Sequence, residues 1–245
     1  MCEHHDANKS ALENSEYFND NPHDGIDLSS YLIGLLEKIN PKRKGTFLEI
    51  GAGVGRNLTK IKDRVERVVA IDVSSQSLEI CANRIQCEVK NASILDEQFV
   101  DAVDVKADFV LLSCVLHHLV GTTRKQSFEF SRKGILNSLK LLNSGGYLIV
   151  MEPNYQPHEI NTLVFYLKRF GAFVTRGKRL GIFGFHNNLG APVVSYFNKS
   201  ELTDLLSEFD LEKYDEWEWK GSLSRLQKLG LIKEFSLIHL VYRKK

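Results

Sequence analysis

Two adjacent histidines, His117 and His118, and the later acid Glu152 are residue types suited to acid–base chemistry. Histidine has an unperturbed pKa of roughly 6.5, which suits proton removal near neutrality. Adjacent side chains on a turn point in different directions, so either ring can instead cap a helix or pack in a wall. His118 is taken as the base, supported by His117 or Glu152. Glu152 either orients a histidine or holds a substrate hydroxyl, and Pro153 is expected to turn the chain out of the sheet and aim Glu152 into the same crevice. A second group opens where Phe47-Leu48-Glu49-Ile50 runs into Gly51-Ala52-Gly53-Val54-Gly55-Arg56. Glycine serves where backbone must approach a ligand closely, because a Cβ would take the ligand's volume. The same turn can also pack a strand tightly on a helix. Asp72 follows Gly51 by 21 positions, at the end of the run Val68–Ile71. A carboxylate there can accept both hydroxyls of a ribose, or cap the helix that Val73-Ser74-Ser75 precedes.

Holding these residues requires strands that end together. Short apolar runs at 46–50, 67–71, 88–91, 107–112 and 147–151 read as strands, and amphipathic helical stretches separate them. That alternation predicts a doubly wound, Rossmann-like α/β fold: a seven-stranded, mostly parallel sheet with helices on both faces. Leu28, Tyr31, Leu32, Leu35, Leu36 and Ile39 recur at helical spacing until Asn40-Pro41 stops them. The stretch Lys125–Leu142 reads as a helix ended by Asn143-Ser144-Gly145-Gly146. From Tyr155 to Gly190 the rhythm breaks, and Lys168, Arg169, Arg176, Lys178 and Arg179 face the single acid Glu159. A long insertion of this kind is expected to cap the crevice after the fifth strand. Its aromatic residues suit an apolar body, and its bases suit an acidic group or form a solvated face. A single domain spanning 1–245 is expected, divided into a leader and helix (1–40), a core (45–154), a cap (155–198) and a closing helix with strands (199–245).

The composition is that of a globular protein, 43% apolar and 26% charged, with a formal net charge of +1. Such a balance gives no global pull toward nucleic acid or membrane. No stretch approaches the roughly 18 apolar residues of a membrane span. The polar start, 1–21, does not read as a signal peptide. Cys2, Cys81, Cys87 and Cys114 show no CxxC pair, which argues against zinc and a disulfide framework and for a reducing cytoplasm.

The turn and its acid resemble the class I methyltransferase family: Glu49-Ile50-Gly51-Ala52-Gly53-Val54-Gly55 is similar to its glycine motif, and Ile71-Asp72 to its ribose acid. The resemblance covers about Gly45 to Asn154. It implies S-adenosylmethionine as cofactor, with S-adenosylhomocysteine as product. It further implies that Gly51, Gly53 and Gly55 face the methionine half, that Asp72 binds the ribose and that Asn91 and Ala92 meet the adenine, with Glu49, Ala52 and Val73 also among the cofactor-binding residues. Asn91 stands where the family more often has Asp, and an amide both accepts and donates. Ser113 and Cys114, past the fourth strand, would line the crevice, and Ser113-Cys114-Val115-Leu116-His117-His118 resembles small-molecule methyltransferases with a histidine pair there. No Asn/Asp-Pro-Pro-aromatic motif and no acid ending that strand point to adenine or glutamine methylation or to a metal-dependent subclass, so no metal is expected. The implied reaction is methylation of a small molecule, at oxygen with histidine assistance, or at nitrogen or carbon. Tyr17, Tyr155, Arg169, Arg176 and His186 are the candidates for the acceptor.

Two other classes use such a sheet. A nicotinamide oxidoreductase would carry GxGxxG rather than the GxGxG found here. A nucleic-acid module built on Lys168–Arg179 would lack any known recognition motif.

Overall fold

The computed structural model describes residues 29–175, 192–221 and 232–245. Helix α1 (Ser29–Ile39) leads into β1 (Thr46–Ile50), α2 (Arg56–Ile61), β2 (Arg67–Asp72), α3 (Ser75–Ile85) and β3 (Glu88–Asn91). Then come α4 (Phe99–Val103), β4 (Ala107–Ser113), α5 (Arg124–Leu141) and β5 (Leu142–Gln156). The chain closes with α6 (Glu159–Val174), α7 (Lys199–Ser207), β6 (Leu211–Gly221) and β7 (Glu234–Lys244). The seven strands form one sheet in the order β3-β2-β1-β4-β5-β7-β6, in which β7 runs antiparallel to the other six.

The strands sort their side chains with a period of two, and each face has its own core. Phe47, Phe109, Leu111, Ile149 and Met151 pack against Leu32, Leu36, Leu58 and Leu78 of α1, α2 and α3. Their neighbours Leu48, Ile50, Val110, Leu112, Leu148 and Val150 pack against Phe99, Ile135, Leu139 and Leu202 of α4, α5 and α7. Burying each such side chain contributes roughly 1.5–3 kcal/mol. Sequence also sets several helix starts. Ser74 accepts from Ser77 N–H and Thr123 from Gln126 N–H, and Asn198 with Glu201 forms a reciprocal capping box.

The structure departs from the sequence-based expectation at two places in β5. The Asn143–Gly146 segment is not a separate turn after a helix. Strand β5 begins at Leu142 and carries the segment as a bulge, between the pairs Ala107↔Leu142 and Phe109↔Tyr147. Asn143 Nδ2 pins it to Asp108 Oδ1 at 2.9 Å. Nor does Pro153 take the chain out of the sheet: β5 continues to Gln156, paired residue for residue with β7, Pro153 opposite Leu237. Proline is tolerated because β4 last pairs at Ser113↔Met151, so beyond that point one edge of β5 is open and needs no N–H.

Chain order reverses between β1 and β4, which are neighbours in the sheet although β2 and β3 intervene in sequence. Connections leave on opposite faces there, opening a crevice at the carboxyl ends of the strands, where ligands bind in open α/β sheets. No described helix is long and apolar enough to cross a membrane.

Candidate active site

The glycine turn forms one wall of the crevice. Gly51 and Ala52 both donate to Ile71 O, at 2.8 and 3.0 Å, which ties the end of β1 to β2. A Cβ on Gly51 would stand 2.4 Å from Val115 Cγ2, and one on Gly55 would stand 2.5 Å from Cys81 Sγ. Those two glycines are therefore required by the protein's own packing. Gly53 differs: its φ is +52° and a Cβ there would meet nothing within 4 Å. The space over Gly53 is open.

Asp72 lies beside that space. Its Oδ2 accepts from Gly53 N–H and its Oδ1 from Ser74 N–H, both at 2.8 Å. Burial raises its pKa, opposed by the backbone donors of Ser74, Gly53 and Val73. An ionised carboxylate has about four lone-pair sites, so each oxygen keeps capacity for a ligand hydroxyl. Asn91, which is exposed, spends Nδ2 on Asp72 O and Val73 O, while Ala92 N–H also meets Asp72 O. The amide thus braces the end of β2.

Under the turn lies Glu49, 1% exposed, on the β1 face toward α1–α3. Its Oε1 accepts from Asn57 Nδ2 at 2.7 Å, and its Oε2 finds no hydrogen-bond partner among the described residues. Burial pushes its pKa up to about 8, with Asn57 lowering it and the Asp72 charge adding to the rise.

The opposite wall is the exit from β4. Cys114 takes φ +56°, a left-handed conformation that costs a non-glycine residue strain, and its N–H is held by Met151 O at 2.7 Å. Burial, and then the charge of Glu152, pushes its thiol pKa far upward, which suits a wall residue rather than a nucleophile. The chain then turns through Leu116–His118. Glu152, fully buried, reaches this turn from the stretch of β5 that β4 no longer covers. Its Oε1 accepts from Val115 N–H (2.9 Å) and Leu116 N–H (2.7 Å), and its Oε2 lies 2.6 Å from His117 Nδ1. Burial pushes Glu152 up to about 8 despite those backbone donors.

The histidines have different surroundings. His117 is buried, stacked on Tyr196 at 5.2 Å, and its carbonyl accepts from Ser195 N–H. His118 is half-buried, 4.1 Å from the His117 ring. Burial, then the charges of His117 and Lys168, hold its pKa well below the usual histidine range. At neutral pH His118 is therefore an uncharged ring.

Of the acceptor candidates, Tyr155 is buried on β5, 4.7 Å from the Tyr196 ring and 5.0 Å from Phe235. Arg169 on α6 is engaged with the protein: it donates to Gly121 O at 2.7 Å and lies over the Phe165 ring. Tyr17, Arg176 and His186 lie outside the described residues. Among the described residues, no three His, Cys, Asp or Glu side chains group to hold a metal ion. Sequence reasoning missed Tyr196 and Asn57, and named Lys168 only among the bases of the insertion. Tyr196 reaches His117 from the segment before α7 and the charge of Lys168 reaches His118 from α6, which no local spacing announces. Asn57 stands eight residues after Glu49 across the turn, a separation legible only once strand, turn and helix are assumed.

With this geometry in view, residues 48–148 match a family described as a methyltransferase domain. The fold is that of NodS, an N-methyltransferase from Bradyrhizobium japonicum, in complex with S-adenosylhomocysteine (TM-score 0.61, 16% identity, 97% of this chain and 98% of that one). A S-adenosylmethionine-dependent methyltransferase from Clostridium acetobutylicum gives 0.59 at 10% identity, over 96% and 97%. One from Methanosarcina mazei gives 0.58 at 14%, over 82% and 93%. No curated protein sequence matches significantly. Domain match and fold agree: residues 48–148 match a methyltransferase domain, and the chain has the fold of S-adenosylmethionine-dependent methyltransferases.

Proposed function

We propose that the chain methylates a hydroxyl of a small-molecule acceptor, with His118 taking the proton. The observation that carries this reading is the open space over Gly53, bounded by the Asp72 carboxylate. Asp72 would accept the ribose hydroxyls with its remaining lone pairs. Glu49 Oε2, buried and lacking a partner among the described residues, suits a cationic group such as the amino group of the methionine half. Ala52, Val73, Asn91, Ala92, Ser113 and Cys114 supply the surrounding wall and the adenine side.

When bound, S-adenosylmethionine supplies an electrophilic methyl group on a positively charged sulfur. The protein's task is then to align the acceptor oxygen and exclude water. His118 is uncharged at neutral pH, the form that accepts a proton, and it is the more exposed of the two rings. Glu152 fixes His117 by its Nδ1, and His117 in turn packs against His118, so the pair acts as a positioning device for the base. Tyr155 and Tyr196 suit an apolar acceptor body. Lys168, whose charge reaches His118, suits an acceptor bearing an acidic group.

Calorimetry with S-adenosylhomocysteine tests the seat: wild type binds, and Asp72→Ala loses at least tenfold in affinity. Absence of binding by folded wild-type protein sinks the reading. An acceptor screen then compares wild type with His118→Ala. Unchanged turnover would remove the proton-acceptor role and favour a nitrogen acceptor already neutral; nitrogen is the atom that the name N-methyltransferase gives for NodS.

A further inference from the structure

Behind the glycine turn lie two free cysteines that the proposed chemistry does not use. Cys81, on the inner face of α3, is fully buried. Cys87, one residue before β3, is half-buried. Their sulfurs are 3.8 Å apart, in van der Waals contact. Gln86 between them adopts a left-handed conformation (φ 52°) that ends α3 and folds Cys87 back toward it. Cys81 also supports the turn directly, since its Sγ fills the volume that a Cβ on Gly55 would need. Arg84, one helical turn further, donates to Val54 O at 3.1 Å. The last two turns of α3 are thus the platform on which residues 51–55 rest.

We propose that Cys81 and Cys87 form a redox-modifiable pair whose disulfide loosens the cofactor turn. The inference rests on the reading that residues 51–55 seat the cofactor. Closing the bond brings the sulfurs from 3.8 Å to about 2.05 Å. Any part of that movement taken by Cys81 Sγ shifts it from its place against Gly55, which weakens the support beneath the turn. A gap under packed atoms forfeits their dispersion contacts, and the turn no longer holds Gly53 against Asp72 as firmly. With oxidised glutathione as oxidant the chemistry balances. The Cys87 thiolate attacks one glutathione sulfur and expels a glutathione thiolate. The Cys81 thiolate then attacks the Cys87 sulfur of the mixed disulfide and expels the second. Two protein thiols lose two protons and two electrons, and the oxidant becomes two molecules of glutathione. Cys87 is the one that attacks first because it is the more exposed. Burial raises the pKa of both thiols, so formation is slow at neutral pH and accelerates as pH rises.

The test uses the full chain, incubated with oxidised glutathione and then digested. Arg84 lies between the two cysteines, so trypsin separates peptide 68–84 from peptide 85–90 unless a disulfide joins them. The expected result is the joined pair, together with about fivefold weaker binding of S-adenosylhomocysteine that a reductant restores. Cys87→Ser leaves the Cys81 contact with Gly55 in place, so it should bind like the reduced wild type and ignore the oxidant. Because that variant keeps Cys114, its indifference assigns the effect to the pair. Unjoined peptides overturn the proposal, as does a joined pair with unchanged affinity. Reduced wild type that fails to bind removes the cofactor seat itself, a result told apart by the reduced sample alone.

Discussion

Glu152 Oε2 lies 2.6 Å from His117 Nδ1, and the same carboxylate caps Val115 and Leu116 through its other oxygen. One side chain from β5 thereby fixes the whole exit from β4, the wall on which the acceptor chemistry is proposed to occur.

Removing that carboxylate should be costly. Glu152→Ala strands two backbone N–H groups and one imidazole nitrogen in the interior, a loss of about 3–5 kcal/mol in stability. Glu152→Gln keeps an acceptor for Val115 and Leu116 and should cost about half as much. Urea unfolding of the three proteins distinguishes them, and equal midpoints would show that the carboxylate does not hold the turn.

Two neighbouring glycines should fail in different ways. Gly51→Ala drives a Cβ into Val115 and should destabilise the protein strongly. Gly53→Ala meets open space, so only the left-handed backbone penalty of about 1 kcal/mol applies, a drop of roughly 2–4 °C in melting temperature. Its binding of S-adenosylhomocysteine should nevertheless fall more than tenfold, because the new methyl occupies ligand volume. Thermal melts with and without that ligand separate the two effects.

Glu49 makes stability depend on pH. Its pKa is about 8 in the folded protein against about 4.3 in an unfolded chain, so between those values the folded state holds a proton that the unfolded state releases. The stability associated with Glu49 is full below about pH 4 and is lost as pH rises through 8. Glu49→Gln stays neutral throughout, so its melting temperature should rise relative to wild type between pH 5 and pH 9. A pH-independent difference would contradict the raised pKa. If the cationic group of the cofactor settles beside Glu49, binding also expels that proton. Calorimetric heats near pH 7 should then scale with the ionisation enthalpy of the buffer for wild type and not for Glu49→Gln.

For the base, the expected effect is kinetic. His118→Ala should lower kcat by about 10²- to 10⁴-fold on a hydroxyl acceptor, with little change in cofactor affinity. Because the ring's pKa is depressed, the acid limb of the wild-type pH–rate profile should fall well below pH 6.5, not at it. A limb at the ordinary histidine value would point to a different titrating group.

The sequence by itself determined the parts governed by near neighbours. The short apolar runs at 46–50 and 107–112 become β1 and β4 because successive side chains must face two cores. Gly51, Gly53 and Asp72 meet because a strand, a tight turn and a parallel crossover leave little choice of where position 72 ends. Spacing alone could not distinguish Gly53, open to a ligand, from Gly51 and Gly55, which are closed by Val115 and Cys81.

Tertiary structure alone decided the contacts that depend on strand order and register. Pro153 stays in the sheet because β7, more than 80 residues later, pairs with β5 on one side while β4 stops short on the other. That same vacancy admits Glu152 beneath His117. Arg169 is bound to Gly121 O rather than presented on the cap, and Tyr196 stacks on His117 across 79 positions. Local propensity arises from the sterics of a few adjacent residues, whereas these contacts follow from burial summed over the whole sheet, which no short window contains.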